Sequence, residues 1–173
     1  IVSSIVSCES DIRAINTIKK KIDIQIIAIG PFASTNPENY VKAGAKVLKG
    51  EPEMYFYDFS KNSPDLQSEK SIIDCKKQIP LDELSIPGWD IIFKYEIPKM
   101  KFLGKGPAVN INASRGCPYS CFYYCTYPLQ QGRKLRLKSP YRLIEEMRYL
   151  YKNLNVRNFI FRDPVFSLDK NHA

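Results

Sequence analysis

The sequence lacks the features of a membrane or secreted protein. No apolar run reaches the roughly 18 residues that a membrane-spanning helix needs. The apolar start, residues 1–8, has no basic region before it, so we do not interpret it as a signal peptide. Repeats and low-complexity segments are also missing, and 44% apolar with 25% charged residues is typical of a folded domain. We expect a cytoplasmic protein without a membrane span.

Acidic residues are fewer than basic ones, which gives a formal net charge of +8. Basic proteins often bind nucleic acids or acidic membranes. The lysines here are scattered along the chain and do not cluster in one stretch. Since scattered charge does not predict a nucleic-acid footprint, we do not expect a nucleic-acid partner.

The spacing of apolar residues predicts an α/β protein in three parts. Residues 1–58 alternate between strand and helix patterns, with a strand at 1–6, a helix from about residue 11 to 22, and β-branched or apolar runs at 24–29 and 46–48. This βαβαβ pattern predicts a doubly wound parallel sheet. Residues 59–105 are interrupted by prolines and predict a linker, in which Trp89 packs against its neighbours. Residues 106–173 return to the α/β pattern.

The third part predicts a strand, a loop, a helix and a second strand. Residues 107–113 form the first strand pattern and residues 158–161 the second. Ser139 and Pro140 are typical of a helix start. The helix that follows has one apolar face, formed by Leu143, Met147, Leu150 and Leu154.

Three of the five cysteines fall within nine residues, in the loop between the first strand and the helix. They are Cys117, Cys121 and Cys125, whereas Cys8 and Cys75 are distant. An odd, clustered set of cysteines favours metal binding over a disulfide framework. Three thiolates can hold three corners of a [4Fe–4S] cluster and leave one iron open to another ligand. We expect Cys8 in the sheet and Cys75 as a free thiol in the linker.

Structural zinc is the competing interpretation of the cysteines. It would need a fourth ligand, which only Cys8, Cys75 or the single histidine, His172, could supply. None of these lies at finger-like spacing. After the cysteines, residues 130–140 form a basic run that enters a helix, and its cations could meet a carboxylate or a phosphate. An ordinary solvated basic loop is the other explanation of this run.

The cysteine loop resembles that of B12 (cobalamin)-binding-domain radical S-adenosylmethionine (SAM) proteins. The similar segments are residues 113–121, 125–128, 131–133 and 161–167 in the third part, and residues 28–34, 50–53 and 80–90 before it. The resemblance implies a partial Rossmann-like sheet of the cobalamin-binding type. The first βα unit and second strand of a radical SAM partial TIM barrel would follow that sheet.

The resemblance also implies an activity and its cofactors. A [4Fe–4S] cluster on Cys117, Cys121 and Cys125 would cleave SAM reductively to a 5′-deoxyadenosyl radical, for methyl transfer or a radical rearrangement. Tyr124, Arg133 and Asp163 would contact the cofactor. Cobalamin would be a further cofactor. The partners would be a small-molecule substrate and a reductant such as flavodoxin or ferredoxin.

Three features depart from the family pattern. Three residues separate Cys121 from Cys125, where two are usual, and Gly30-Pro31 stands where Gly-Gly is usual. The Asp-x-His-x-x-Gly signature of cobalamin binding is absent. Two alternatives stay open: a tRNA-modifying radical SAM methylthiotransferase, and a non-catalytic module that binds a metal or cofactor. Since both ends look cut, we expect a fragment of a longer enzyme that is inactive alone.

Overall fold

The computed structural model describes residues 1–62, 70–95, 107–119, 121, 125–166 and 168–170. The chain divides into two compact units. The first unit comprises Ile1–Ile79 and Tyr119–Arg133, and the second comprises Pro80–Pro118 and Lys134–Ala173. Within the described residues, no helix has the length and apolar character needed to cross a bilayer. The division predicted from the sequence, at residues 58 and 105, stays a prediction.

The first unit is a parallel sheet with helices between its strands. Its strands are ordered β1-β2-β3, and each neighbouring pair is parallel. Ahead of β1, Val2 forms a parallel bridge with Ile29. The elements of this unit, in chain order, are α1 (Cys8–Lys21), β1 (Ile27–Ala28), α2 (Pro31–Thr35), α3 (Pro37–Lys42), β2 (Lys46–Gly50), α4 (Glu53–Asn62), β3 (Ile72–Cys75) and, after a passage through the second unit, α6 (Tyr127–Gln131).

One apolar core holds this sheet and its helices together. Ile15 of α1, Ala33 of α2 and Tyr40 of α3 are fully buried. They pack in one cluster with Ala28 of β1 and Val47 of β2. Because each of the three helices contributes a buried side chain to the strands, the order of the strands and the placement of the helices are fixed by the same core.

The second unit contains two parallel strands and one long helix. Its elements are a 3₁₀ helix (Leu81–Glu83), α5 (Trp89–Lys94), β4 (Ala108–Ile111), β5 (Ser114–Arg115), β6 (Arg136–Leu137), α7 (Pro140–Leu154) and β7 (Asn158–Phe161). β4 pairs with β7 in parallel, and β5 pairs with β6 in antiparallel. Its core joins β4 to α7 through four buried residues, Val109, Ile111, Leu150 and Val156.

The start and end of α7 follow from its sequence. The Ser139 hydroxyl accepts a hydrogen bond from the Arg142 backbone N–H at 3.2 Å, and Pro140 occupies the first turn. The helix ends at Asn155, which adopts the left-handed conformation at φ 54°. Asparagine tolerates this conformation better than most residues. Both ends therefore have a local cause, and the predicted helix start is confirmed.

Several sequence predictions are confirmed. The α/β class with parallel strands is correct, as are the strand at Asn158–Phe161 and the apolar face of α7. Trp89 packs against the core of the second unit, as expected. The continuation of β4, α7 and β7 into a barrel stays a prediction.

Other predictions are wrong at the level of single elements. The expected strand at residues 1–6 reduces to the bridge at Val2, because the chain turns at residues 5–7 and enters α1. Cys8 therefore begins a helix and does not lie in the sheet. The expected linker contains β3, the third strand of the parallel sheet. This strand has only four residues, and one of them is the charged Asp74. Its sequence pattern therefore cannot be distinguished from that of a loop.

We predict that Gly30→Ala destabilises the first unit more than Gly44→Ala. Both glycines have positive φ, at 104° and 93°, so each alanine costs about 1–2 kcal/mol of backbone strain. A Cβ on Gly30 would also lie 2.7 Å from the Ser3 carbonyl oxygen, whereas one on Gly44 has its nearest neighbour, Lys19 Cε, at 3.7 Å. The added overlap should cost about a further 1–3 kcal/mol.

Urea unfolding of the two variants, followed by far-UV circular dichroism, measures this difference. Equal unfolding midpoints for Gly30→Ala and Gly44→Ala would show that the close approach of Ser3 to Gly30 does not affect the stability of the variant.

Candidate functional site

The first unit contains an open cleft of about 510 Å³ at the carboxyl ends of β2 and β3. Open α/β sheets bind ligands at the carboxyl ends of their strands, and pockets of 300–1,000 Å³ are typical of small-molecule sites. The lining residues all belong to the first unit: Ser34, Thr35, Lys49, Gly50, Asp74, Cys75, Lys76, Gln78, Leu129, Gln130 and Gly132.

One wall of the cleft is α2, the helix that follows β1. The Ser34 hydroxyl accepts a hydrogen bond from the backbone N–H of Gly50 at 3.1 Å. Ser34 is 7% exposed. This hydrogen bond ties the end of α2 to the last residue of β2, so this wall and the strand end keep a fixed distance.

A second wall is α6, together with Gly132 at its end. The Gln78 side-chain amide donates to the Gln131 carbonyl at 3.2 Å. Leu129 lines the cleft and is 65% exposed. An exposed leucine on the cleft wall offers an apolar surface to a ligand.

The floor between these walls carries charged side chains from two neighbouring strands. Lys49 of β2 lies directly opposite Asp74 of β3 in the parallel register. Lys76 follows β3 immediately. Among the described residues that line the cleft, Asp74 is the only acid and Lys49 and Lys76 are the only bases. The cleft can therefore contact both cationic and anionic groups of a ligand.

Cys75 ends β3 at the cleft, and its thiol is held in the protonated form. Burial, with smaller contributions from the negative charges of Asp74 and Glu53, raises the pKa of Cys75 to about 11. A thiol with such a pKa is a poor nucleophile at neutral pH, because the thiolate is the reactive species. Cys75 contributes to the lining of the cleft and not to its charge.

The three clustered cysteines differ in their exposure. Cys117 is buried, Cys125 is half-buried and Cys121 is exposed. In the part of the chain that the structure describes, no group of three histidine, cysteine, aspartate or glutamate side chains could hold a metal ion. The described arrangement therefore does not support the predicted iron–sulfur cluster, and the role of each of the three cysteines is not tested. His172 lies outside the described residues.

The residues predicted to contact the cofactor belong to different units. Arg133 belongs to the first unit and Asp163 to the second. An Arg133 Nη1 hydrogen donates to the Tyr119 carbonyl at 3.4 Å. Tyr124 lies outside the described residues.

Asp163 follows β7 and holds the backbone at β5. Its Oδ1 accepts hydrogen bonds from the Ser114 backbone N–H and, at 2.6 Å, from the Ser114 hydroxyl. Ser114 is 4% exposed. Asp163 Oδ2 is buried and has no hydrogen-bond partner among the described residues. The role that the structure shows for Asp163 is therefore to position Ser114 in β5.

The sequence did not predict the residues of the cleft. Asp74 and Lys76 fell within the expected linker, and Lys49 directly followed the strand expected at residues 46–48 and had no assigned role. One signal could have found them: the continuous apolar strand at residues 46–48 ends at Lys49-Gly50, at the carboxyl edge of a parallel sheet, where ligands bind.

Two curated proteins are similar in sequence to this chain. The first, an uncharacterized methyltransferase of Pyrococcus horikoshii, is 34% identical over 94 residues, which is 54% of this chain and 19% of that protein. The second, an uncharacterized methyltransferase of Synechocystis, is 26% identical over 148 residues, or 85% of this chain and 25% of that protein. The chain spans about a fifth to a quarter of the length of these relatives. No protein-family model matches the chain.

These names contradict the identity expected from the cysteine loop. Both relatives are named methyltransferases, and neither name refers to a radical SAM protein, an iron–sulfur cluster or cobalamin. The prediction of a cobalamin-type radical SAM fragment is therefore wrong. The radical mechanism, the [4Fe–4S] cluster, cobalamin and the methylthiotransferase alternative are withdrawn with it.

We predict that Cys75 reacts slowly with iodoacetamide in the folded protein. At pH 8 a thiol of pKa about 11 is about one-thousandth thiolate. The alkylation rate of Cys75 in the folded protein should rise until about pH 11. In the urea-unfolded protein the rate should level off near pH 9.0, the ordinary pKa of a cysteine thiol. Because the folded state disfavours the thiolate, this group's contribution to stability is complete below pH 9 and is lost as the pH rises towards 11.

Mass spectrometry of the peptide that contains Cys75 measures the rate at each pH. The Asp74→Asn variant is the matched control, since the loss of its negative charge should lower the pKa of Cys75. An alkylation rate that levels off at pH 9 in the folded protein would contradict the raised pKa of Cys75.

We predict that Asp163→Ala destabilises the second unit by about 1–3 kcal/mol, because it leaves the buried Ser114 N–H and O–H without their acceptor. Asp163→Asn should cost less, since its amide oxygen can still accept from Ser114. Unfolding free energies from urea titrations compare the two variants, and an equal cost for both would show that the Ser114 hydrogen bonds are not the cause.

Proposed function

We propose that the chain is part of an enzyme that transfers a methyl group from SAM to a small-molecule acceptor. The names of the two relatives support methyl transfer. The observation that carries the proposal is the cleft at the carboxyl ends of β2 and β3, which has the position and volume of a nucleotide-cofactor site on a parallel sheet.

The charged and polar groups of the cleft fit the parts of SAM. Asp74 stands at the end of a parallel strand, the position from which a carboxylate accepts hydrogen bonds from ribose hydroxyls. Leu129 offers an apolar surface for the adenine ring. When bound, SAM supplies an electrophilic methyl group on its sulfonium. The acceptor's electron pair forms the new bond to carbon while the carbon–sulfur bond breaks and S-adenosylhomocysteine leaves.

The residues of the chain would bind and orient the methyl donor in this reaction. Holding donor and acceptor in line converts an encounter between two molecules into a step within one complex, which removes much of the entropic part of the barrier. The hydrogen bond from Gly50 to Ser34 fixes one wall of the cleft against the end of β2. We propose that this rigid wall keeps the donor in one orientation.

Of the residues predicted to contact the cofactor, Arg133 stays a proposed contact of SAM in the cleft. Arg133 adjoins Gly132, which lines the cleft, so we place its guanidinium nearest to a bound SAM. Asp163 belongs to the other unit, and we propose that it acts there by holding Ser114. The small-molecule acceptor also stays a proposal.

We predict that Asp74→Asn weakens the binding of SAM by about tenfold to a hundredfold, because a hydrogen bond to a charged group is worth about 1.5–3 kcal/mol. Isothermal titration calorimetry of SAM against the purified chain measures the Kd. Asp23→Asn is the matched control, since Asp23 is exposed and precedes β1, at the amino ends of the strands.

An unchanged Kd in the Asp74→Asn variant would remove Asp74 from the site. A correctly folded chain, checked by circular dichroism, that binds no SAM at all would contradict the proposed function.

A further inference from the structure

Two lysines reach the same cleft from neighbouring strands. Lys49 lies on β2 and is half-buried, and Lys76 directly follows β3 and is exposed. Within the described part of the chain, neither lysine side chain forms an ion pair or a hydrogen bond. Both therefore offer an ammonium group to the cleft that no described carboxylate or carbonyl holds by a direct contact.

The acidic side chains that line the cleft do not balance the charge of the two lysines. Asp74, opposite Lys49 in the strand register, is the only described acid that lines the cleft. Cys75 stays a neutral thiol at physiological pH, because burial raises its pKa to about 11. The residues that line the cleft thus carry two ammonium groups and one carboxylate, an excess of one positive charge in the lining itself. Glu53, whose negative charge also acts on Cys75, is not among the lining residues.

A positive excess inside a cleft attracts anions more strongly than the same charge on an open surface. The surrounding protein lowers the local dielectric constant and concentrates the field in the opening. A lysine ammonium binds carboxylate and phosphate groups as a point charge with three hydrogen-bond donors. Ser34, whose hydroxyl oxygen accepts from the Gly50 N–H, adds a hydroxyl donor on the wall formed by α2, whereas the Thr35 hydroxyl donates to backbone carbonyls of its own helix.

We propose that Lys49 and Lys76 form an anion subsite in the cleft, which binds a carboxylate or phosphate group of the ligand. This inference rests on the proposed function and extends it. The anionic group has two possible sources: the methionine carboxylate of SAM, or an acidic group of the methyl acceptor. In the first case the subsite orients the donor, and in the second it selects acidic acceptors.

The experiment compares three probes that separate these sources. SAM carries the carboxylate, 5′-methylthioadenosine has the adenosine and thioether without it, and pyrophosphate stands for an acidic acceptor. Calorimetric Kd values are measured for the wild type, Lys49→Gln, Lys76→Gln and the double variant. Lys20→Gln is the matched control, because it removes the same charge from the exposed surface of α1 in the same unit.

Two results would support the subsite, and each identifies one source. If the carboxylate of SAM binds there, the double variant should bind SAM at least about tenfold more weakly, with 5′-methylthioadenosine unchanged. If an acceptor group binds there, pyrophosphate binding should be lost in the double variant, with SAM unchanged. In either case Lys20→Gln should bind the probes as the wild type does. Higher salt should weaken the binding of the probe that depends on the two lysines.

Other results separate the subsite from the proposed function. If SAM binds and depends on Asp74, but the lysine variants bind all three probes as the wild type does, the anion subsite is overturned and methyl transfer is not. If the chain binds no SAM while its binding of pyrophosphate depends on the two lysines, the subsite is supported and the proposed function fails.

Discussion

The parallel pairing of β2 with its two neighbours is the constraint on which the first unit depends. β2 lies between β1 and β3, and its residues Val47 and Leu48 are fully buried. The register that pairs Val47 with Ile72 also pairs Lys49 with Asp74 and Gly50 with Cys75. A slip by one residue would exchange Val47 and Leu48 between the two faces of the sheet, both of which are buried and packed for particular side chains. The core that fixes this register therefore also decides which charged groups meet at the cleft.

The elements that could be predicted from the sequence are those whose cause is local. α7 has its cap at Ser139, a proline in its first turn and an apolar face with helical spacing, so its start and its packing were both foreseeable. β7 is a short apolar run between polar residues, and its bounds match the prediction. Trp89 behaved as a large apolar side chain usually does, by packing against a core.

The elements that could not be predicted depend on pairing between distant residues. β3 has four residues, one of them charged, and is a strand because β2 offers it a partner. The cleft depends on the register of these two strands and on α6, which begins at Tyr127, long after β3 ends at Cys75. The cysteine loop was the most distinctive local pattern, and it led to the wrong family. A motif of three cysteines specifies a spacing, whereas a site requires convergence in space.

Unit membership changes three times along the chain, after Ile79, after Pro118 and after Arg133. The wall of the cleft formed by α6 is therefore encoded after β4 and β5 of the other unit. During synthesis, β1, β2 and β3 leave the ribosome well before α6, since a chain emerges from its amino end. The sheet can form early, but its binding surface is completed only after much of the second unit has been made. A protein divided at Ile79 would keep the three strands and lose one side of the cleft.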